Sequence, residues 1–197
     1  MNLPNKLTVF RIMLVPVLVL VWLFPYEQFN IAFYQFNFGT TSISLLNIIV
    51  LVIFCIASFT DYLDGKIARK NNLITTFGKF ADPIADKLLV NTMFIIFAYQ
   101  RMIPVVPVVI MLARDTIVNG CRMIASKNGV VVSAGMLGKL KTVLQMFSII
   151  FILLNNLPFE LIGIPVSSFL LWFATLISVM SGYSYFVQLK EYIFESK

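Results

Sequence analysis

The chain has 197 residues, of which 59% are apolar and 12% charged, and its mean hydropathy is +0.91. Soluble domains carry about a quarter charged residues, so this much apolar surface exceeds what one soluble core hides and points to a bilayer as solvent. The net charge of +6 comes without a continuous basic surface, which argues against nucleic acid, and the lack of histidine excludes His-based triads and His-ligated zinc.

In chain order, six apolar segments are long enough to span a bilayer, at roughly 8–25, 43–60, 83–99, 104–125, 139–156 and 166–188. The opening MNLPNKLTVFRI lacks a convincing signal-peptide cleavage site, so the first segment is expected to stay as a membrane helix. Pro4 suits the start of a short interfacial helix, and Pro16 falls inside the first span, where membrane helices tolerate it. Lys and Arg gather before the first span (Lys6), between the second and third (Lys66, Arg69, Lys70, Lys79), between the fourth and fifth (Lys127, flanked by Arg122 and Lys139) and in the tail (Lys190, Lys197). The stretches 26–42 and 156–165 contain neither residue. That bias places both termini in the cytoplasm. The expectation is an all-α membrane protein of six spans, one domain over residues 1–197, in the plasma membrane. Cys55 and Cys121 read as small buried hydrophobes with no metal-ligand spacing.

The informative stretch is FTDYLDGKIARKNNLITTFGKFADPIADK, from Phe59 to Lys87. Asp61, Asp64, Asp82 and Asp86 lie here, four of the nine acids of the chain. Residues turn by about 100° along a helix, so Asp61, Asp64, Gly65, Ala68 and Arg69 share one face at the end of the second span. Asp82 and Asp86 are one turn apart at the start of the third, with Gly78 on the same side. A short connection brings these faces together. Four converging carboxylates repel one another, and hard divalent cations that prefer carboxylate oxygen relieve the repulsion. Such a set suits two metal ions holding a pyrophosphate. Gly65 and Ala68 leave room beside the backbone, and Arg69 offers a fork for phosphate.

The pattern Asp61-x2-Asp64-Gly65-x2-Ala68-Arg69-x8-Gly78-x3-Asp82-x3-Asp86 resembles the signature of the CDP-alcohol phosphotransferase family, with every fixed position present at its spacing. The resemblance implies that Asp61, Asp64 and Asp82 bind metal and seat the CDP diphosphate, and that Asp86 is both metal ligand and catalytic base. It implies that Gly65, Ala68, Arg69 and Gly78 shape the nucleotide pocket. Two ions per site, Mg²⁺ or Mn²⁺, and a homodimer are expected on the same ground.

A second polar cluster comprises Arg114, Asp115 and Arg122 on the fourth span, then Lys139 and Lys141 at the start of the fifth. Ionisable residues within spans are functional candidates, and the positive surplus suits an anionic acceptor. Arg114 pairing with Asp115 is the structural alternative. Lys139 and Lys141 are two apart, so they cannot both face inward on a helix, and one is expected to snorkel toward headgroups. The strings LPNKLTVFRI, ARDTIVNGCR and GKLKTVLQ resemble the bacterial branch of the family that makes phosphatidylglycerophosphate. CDP-diacylglycerol as donor and glycerol 3-phosphate as acceptor follow from that resemblance, and the positive surplus of the second cluster makes Arg114, Arg122, Lys139 and Lys141 the candidate acceptor-phosphate residues. Inositol phosphate and phosphatidylglycerol are the competing acceptors. A cation transporter would place its acids at mid-membrane and commonly show an inverted repeat. A non-catalytic scaffold leaves the acidic signature without a purpose.

Overall fold

A computed structural model describes residues 2–39, 41–70, 75–127 and 135–193. Six helices account for most of them: α1 (Leu3–Leu23), α2 (Leu45–Lys70), α3 (Thr76–Tyr99), α4 (Val105–Lys127), α5 (Met136–Leu153) and α6 (Val166–Ile193). Four of these, α1, α2, α5 and α6, are long and apolar enough to cross a membrane. Charged side chains dilute α3 and α4, yet both expose large apolar residues, including Ile84, Leu88 and Ile95 on α3 and Val105, Val109 and Ile117 on α4. Soluble proteins rarely expose contiguous apolar surface on that scale.

The chain divides into two compact units, residues 1–96 with 150–164, and residues 97–149 with 165–197. In the first unit α1 packs on α2. Asn2 caps α1 by accepting the Asn5 backbone N–H at 3.1 Å, and Pro4 sits in the first turn, where its missing N–H costs nothing. The expected separate interfacial helix is therefore the opening of α1 itself. Pro16 lies within the same helix.

Buried residues of α1 recur at Thr8, Arg11, Val15, Leu18 and Trp22, and those of α2 at Val50, Phe54, Ala57, Thr60 and Asp64. Three-four spacing of this kind marks one helix face. Each seam is apolar toward one end and polar toward the other. The helices run antiparallel, since Arg11 near the start of α1 meets Asp61 and Asp64 near the end of α2.

Two departures from the sequence expectation stand out in this unit. The all-α expectation missed a small antiparallel hairpin of β1 (Gln35–Phe38) and β2 (Thr41–Ser44), paired from Gln35–Ser44 to Phe38–Thr41. Gly39 enters its turn at φ +61°, a region glycine adopts without strain. Asn155 donates to the Ser42 carbonyl at 2.6 Å and holds the hairpin down. Cys55, expected to be buried, is exposed on α2, on the side away from the buried seam. An open cleft lined by Trp22, Tyr26, Phe33 and Gln35 lies toward the other end of α1 from Arg11.

In the second unit α4 packs on α6. Its buried seam runs through Val108, Met111, Asp115, Val118 and Ala125 on α4, and Leu171, Ala174, Ser178, Ser181, Tyr185 and Leu189 on α6.

Candidate active site

α2 and α3 both extend past their apolar stretches, and the extensions carry the aspartates. Thr75 starts α3 by accepting the Gly78 backbone N–H at 3.0 Å, the capping role favoured for a short hydroxyl side chain. The same Thr75 hydroxyl donates to Asn5 Oδ1 at 2.9 Å, which ties the beginning of α3 to α1.

Three residues of α1, spaced one turn apart, then organise the motif. Asn5, Thr8 and Arg11 are 7%, 1% and 1% exposed. Arg11 spans two carboxylates: Nη1 donates to Asp61 Oδ1, Nη2 to Asp64 Oδ2 at 2.6 Å, and Nε to the Ala57 carbonyl at 3.2 Å. A buried guanidinium is costly unless its donors are matched, and this fork is matched on three sides. Thr8 Oγ1 lies 2.7 Å from Asp82 Oδ1, 3.2 Å from the Pro4 carbonyl and 3.5 Å from Asp64 Oδ2. Its single hydrogen takes the shortest of these, to Asp82.

Asp61, Asp64 and Asp82 are thus each contacted from α1, and Asp64 also accepts from the Gly65 backbone N–H. Asp64 is buried, and Asp61 and Asp82 are half-buried. Asp86 follows Asp82 by one turn on α3 and is half-buried. Gly65 directly follows Asp64. Gly78 sits where α3 meets α1: a Cβ there would lie 3.2 Å from Asn5 Oδ1, 3.3 Å from Thr75 Oγ1 and 3.7 Å from Asp82 Oδ2. Its smallness serves helix contact at this point. The side chains of Ala68 and Arg69 fall outside the described residues.

The second cluster forms a network of its own. Asp115, 5% exposed, accepts from Lys141 Nζ on both oxygens and from Arg114 Nη1 at 2.8 Å. Arg114 also donates through Nε to the Ser178 carbonyl at 3.2 Å and through Nη2 to Ser181 Oγ. Gly182 permits this, since a Cβ there would lie 2.9 Å from Arg114 Cγ. The guanidinium carbons of Arg114 and Arg122 stand 5.7 and 5.4 Å from the centre of the Tyr185 ring. The Tyr185 hydroxyl accepts the Gly135 backbone N–H at 2.8 Å. Lys141 is buried and Lys139 exposed, so the two lysines diverge as their spacing requires.

Sequence reasoning missed Asn5, Thr8 and Arg11 as parts of the site, and Ser181 and Tyr185 as parts of the second cluster. A signal for the first group was present, namely a polar residue every third position entering an otherwise apolar helix, ending in an arginine.

The profile of the family described as CDP-alcohol phosphatidyltransferase matches residues 1–180. The chain is 42% identical over 185 residues to the CDP-diacylglycerol–glycerol-3-phosphate 3-phosphatidyltransferase of Bacillus subtilis (strain 168), covering 94% of this chain and 93% of that one. A protein of the same name from Rickettsia felis is 38% identical over 97% of both chains. The one from Salmonella choleraesuis is 33% identical over 83% of both.

Proposed function

Because this chain belongs to the CDP-alcohol phosphatidyltransferase family, we propose that it transfers a phosphatidyl group from CDP-diacylglycerol to glycerol 3-phosphate, giving phosphatidylglycerophosphate and CMP. The observation that carries the chemistry is the gathering of Asp61, Asp64 and Asp82 around Arg11 and Thr8. Support for the acceptor comes from the relatives, whose names specify glycerol 3-phosphate and which match over nearly the whole chain length.

Asp61, Asp64, Asp82 and Asp86 are the residues that would hold divalent cations. An all-oxygen carboxylate set suits Mg²⁺ or Mn²⁺, two per site. Among the described residues no three acidic or cysteine side chains already surround one ion-sized point. The donor chemistry fits, and the aspartates stand close enough for α1 to contact three of them. When bound, the ions would neutralise the donor diphosphate and the charge growing on the departing CMP.

The chain's own residues do the remainder. Asp86 accepts the proton from the acceptor hydroxyl. The acceptor oxygen then bonds to the phosphorus on the lipid side of the diphosphate, in line with the bond to the bridging oxygen. That bond breaks and CMP leaves with the electron pair. Catalysis here is chiefly positioning and charge stabilisation. Gly65, Ala68, Arg69 and Gly78 border the nucleotide. Arg114, Arg122 and Lys141 receive the acceptor phosphate, with Asp115 offsetting one of their three positive charges, while the exposed Lys139 diverges from Lys141 and is left out of that set.

Six spans, cytoplasmic termini, an active site at the cytoplasmic face of the plasma membrane and a homodimer complete the proposal. The loop charge bias and the outward apolar residues of α3 and α4 support the topology.

Purified protein given CDP-diacylglycerol, Mg²⁺ and a panel of alcohols tests the activity. CMP should appear with glycerol 3-phosphate well ahead of inositol phosphate or phosphatidylglycerol. Asp86→Asn should abolish turnover in a protein that still folds. Absence of CMP with every acceptor sinks the proposal; a preference for another alcohol corrects the acceptor.

A further inference from the structure

α1 carries none of the signature aspartates, yet it contacts three of them. Arg11 Nη1 and Nη2 each take one oxygen, from Asp61 and from Asp64, and Thr8 takes one oxygen of Asp82. These contacts are directional. They fix Asp61 Oδ1, Asp64 Oδ2 and Asp82 Oδ1 from the α1 side, and Asp64 also accepts from the Gly65 backbone N–H. The donors themselves are anchored. Arg11 is 1% exposed and held by the Ala57 carbonyl, and Thr8 is 1% exposed. One turn earlier, Asn5 holds Thr75 at the start of α3.

We infer that Thr8 and Arg11 are positioning residues for the transfer, which fix one oxygen of Asp61, Asp64 and Asp82 so that the three carboxylates are presented together to a divalent cation. Hydrogen bonds that orient ligating carboxylates commonly change metal affinity by about 10–100-fold when removed. Arg11 adds a second effect. Its charge offsets the repulsion between buried Asp64 and half-buried Asp61 before any cation arrives, which a neutral side chain could not do. The fork is needed for this, because a lysine ammonium on the same stem is a point charge suited to one carboxylate.

The inference rests on the phosphatidyl transfer proposed above, and the test separates the two. Detergent-purified wild type, Thr8→Val, Thr8→Ser, Arg11→Met and Arg11→Lys are titrated with Mn²⁺ by electron paramagnetic resonance, without substrate. The same proteins are assayed for CMP release across Mg²⁺ concentration and for thermal unfolding. Thr8→Val keeps the shape of threonine and loses the donor. It should weaken Mn²⁺ binding and raise the half-saturating Mg²⁺ by about 10-fold, with Arg11→Met toward about 100-fold. Turnover at saturating Mg²⁺ should change only a few-fold. Thr8→Ser should restore wild-type values, and Arg11→Lys should fall between wild type and Arg11→Met.

Unchanged or tighter Mn²⁺ binding in Thr8→Val and Arg11→Met, with or without a lowered unfolding temperature, overturns the inference, as does a wild type that binds no Mn²⁺. If Arg11→Met does not fold, the Thr8→Val and Thr8→Ser pair decides the matter. CMP release with unaltered Mn²⁺ affinities leaves the transfer standing and removes the positioning role. The predicted affinities with no CMP from any variant do the reverse.

Discussion

Arg11 is among the most deeply buried side chains of the protein, and both of its carboxylate partners lie more than forty positions away in the chain. Its partners, not its sequence neighbours, make its burial tolerable. Gly78 shows the same dependence at smaller scale. The family resemblance assigns it to the nucleotide pocket, and the structure adds a contact with α1 where a methyl group would be tight. In Gly78→Ala the new Cβ would crowd Asn5 Oδ1 at 3.2 Å and Thr75 Oγ1 at 3.3 Å, the two atoms that join α3 to α1. Overpacking of this kind costs about 1–3 kcal/mol. Thermal unfolding should shift downward accordingly, and CMP release should fall with it. An unaltered unfolding temperature would show that α3 does not rely on this contact.

At the scale of elements, two helix pairs carry polar residues in their buried seams. α1 and α2 bury a seam that is apolar and then polar, and α4 and α6 bury one whose polar residues lie between apolar ones. In the first pair the polar part joins Arg11 to the signature aspartates Asp61 and Asp64. In the second it surrounds one aspartate, Asp115, with Lys141 of α5 and Arg114 of α4, while Ser178 and Ser181 of α6 take the rest of the Arg114 fork. Breaking a buried ion pair from one side costs about 3–5 kcal/mol. Asp115→Ala should therefore destabilise the protein by that order, measured as a fall in unfolding temperature, and Asp115→Asn by less. A further consequence separates structure from binding. If the network aligns cations for an acceptor phosphate, Asp115→Asn should raise the KM for glycerol 3-phosphate more than that for CDP-diacylglycerol. Equal changes in the two constants would assign Asp115 to packing alone.

For the whole molecule, the outward surface is apolar to an extent that water would not support, with Leu20 69% and Phe169 66% exposed. The bilayer is the medium that accepts such faces. The charge bias of the loops then predicts an orientation that cysteine labelling can read. In a background carrying Cys55→Ser and Cys121→Ser, Asn37→Cys on the hairpin should react with an impermeant maleimide added to intact cells. Lys190→Cys near the end of α6 should react only after the membrane is opened. The reverse pattern would invert the topology.

Sequence alone settled the membrane class, the six helices to within ten residues at each end, and the spacing of the four aspartates, because each rests on local periodicity and composition. The exit of Lys139 from the side taken by Lys141 was equally legible, being a matter of helical angle. The hairpin at 35–44 was not, since its strands are four residues each and carry little pattern. Nor were the roles of Asn5, Thr8 and Arg11. A polar residue in an apolar helix announces that it needs a partner, and which partner it finds depends on the helix that packs against it. Only the pairing of α1 with α2, and the anchoring of α3 by Thr75 and Asn5, decided that the signature aspartates are held from a third helix.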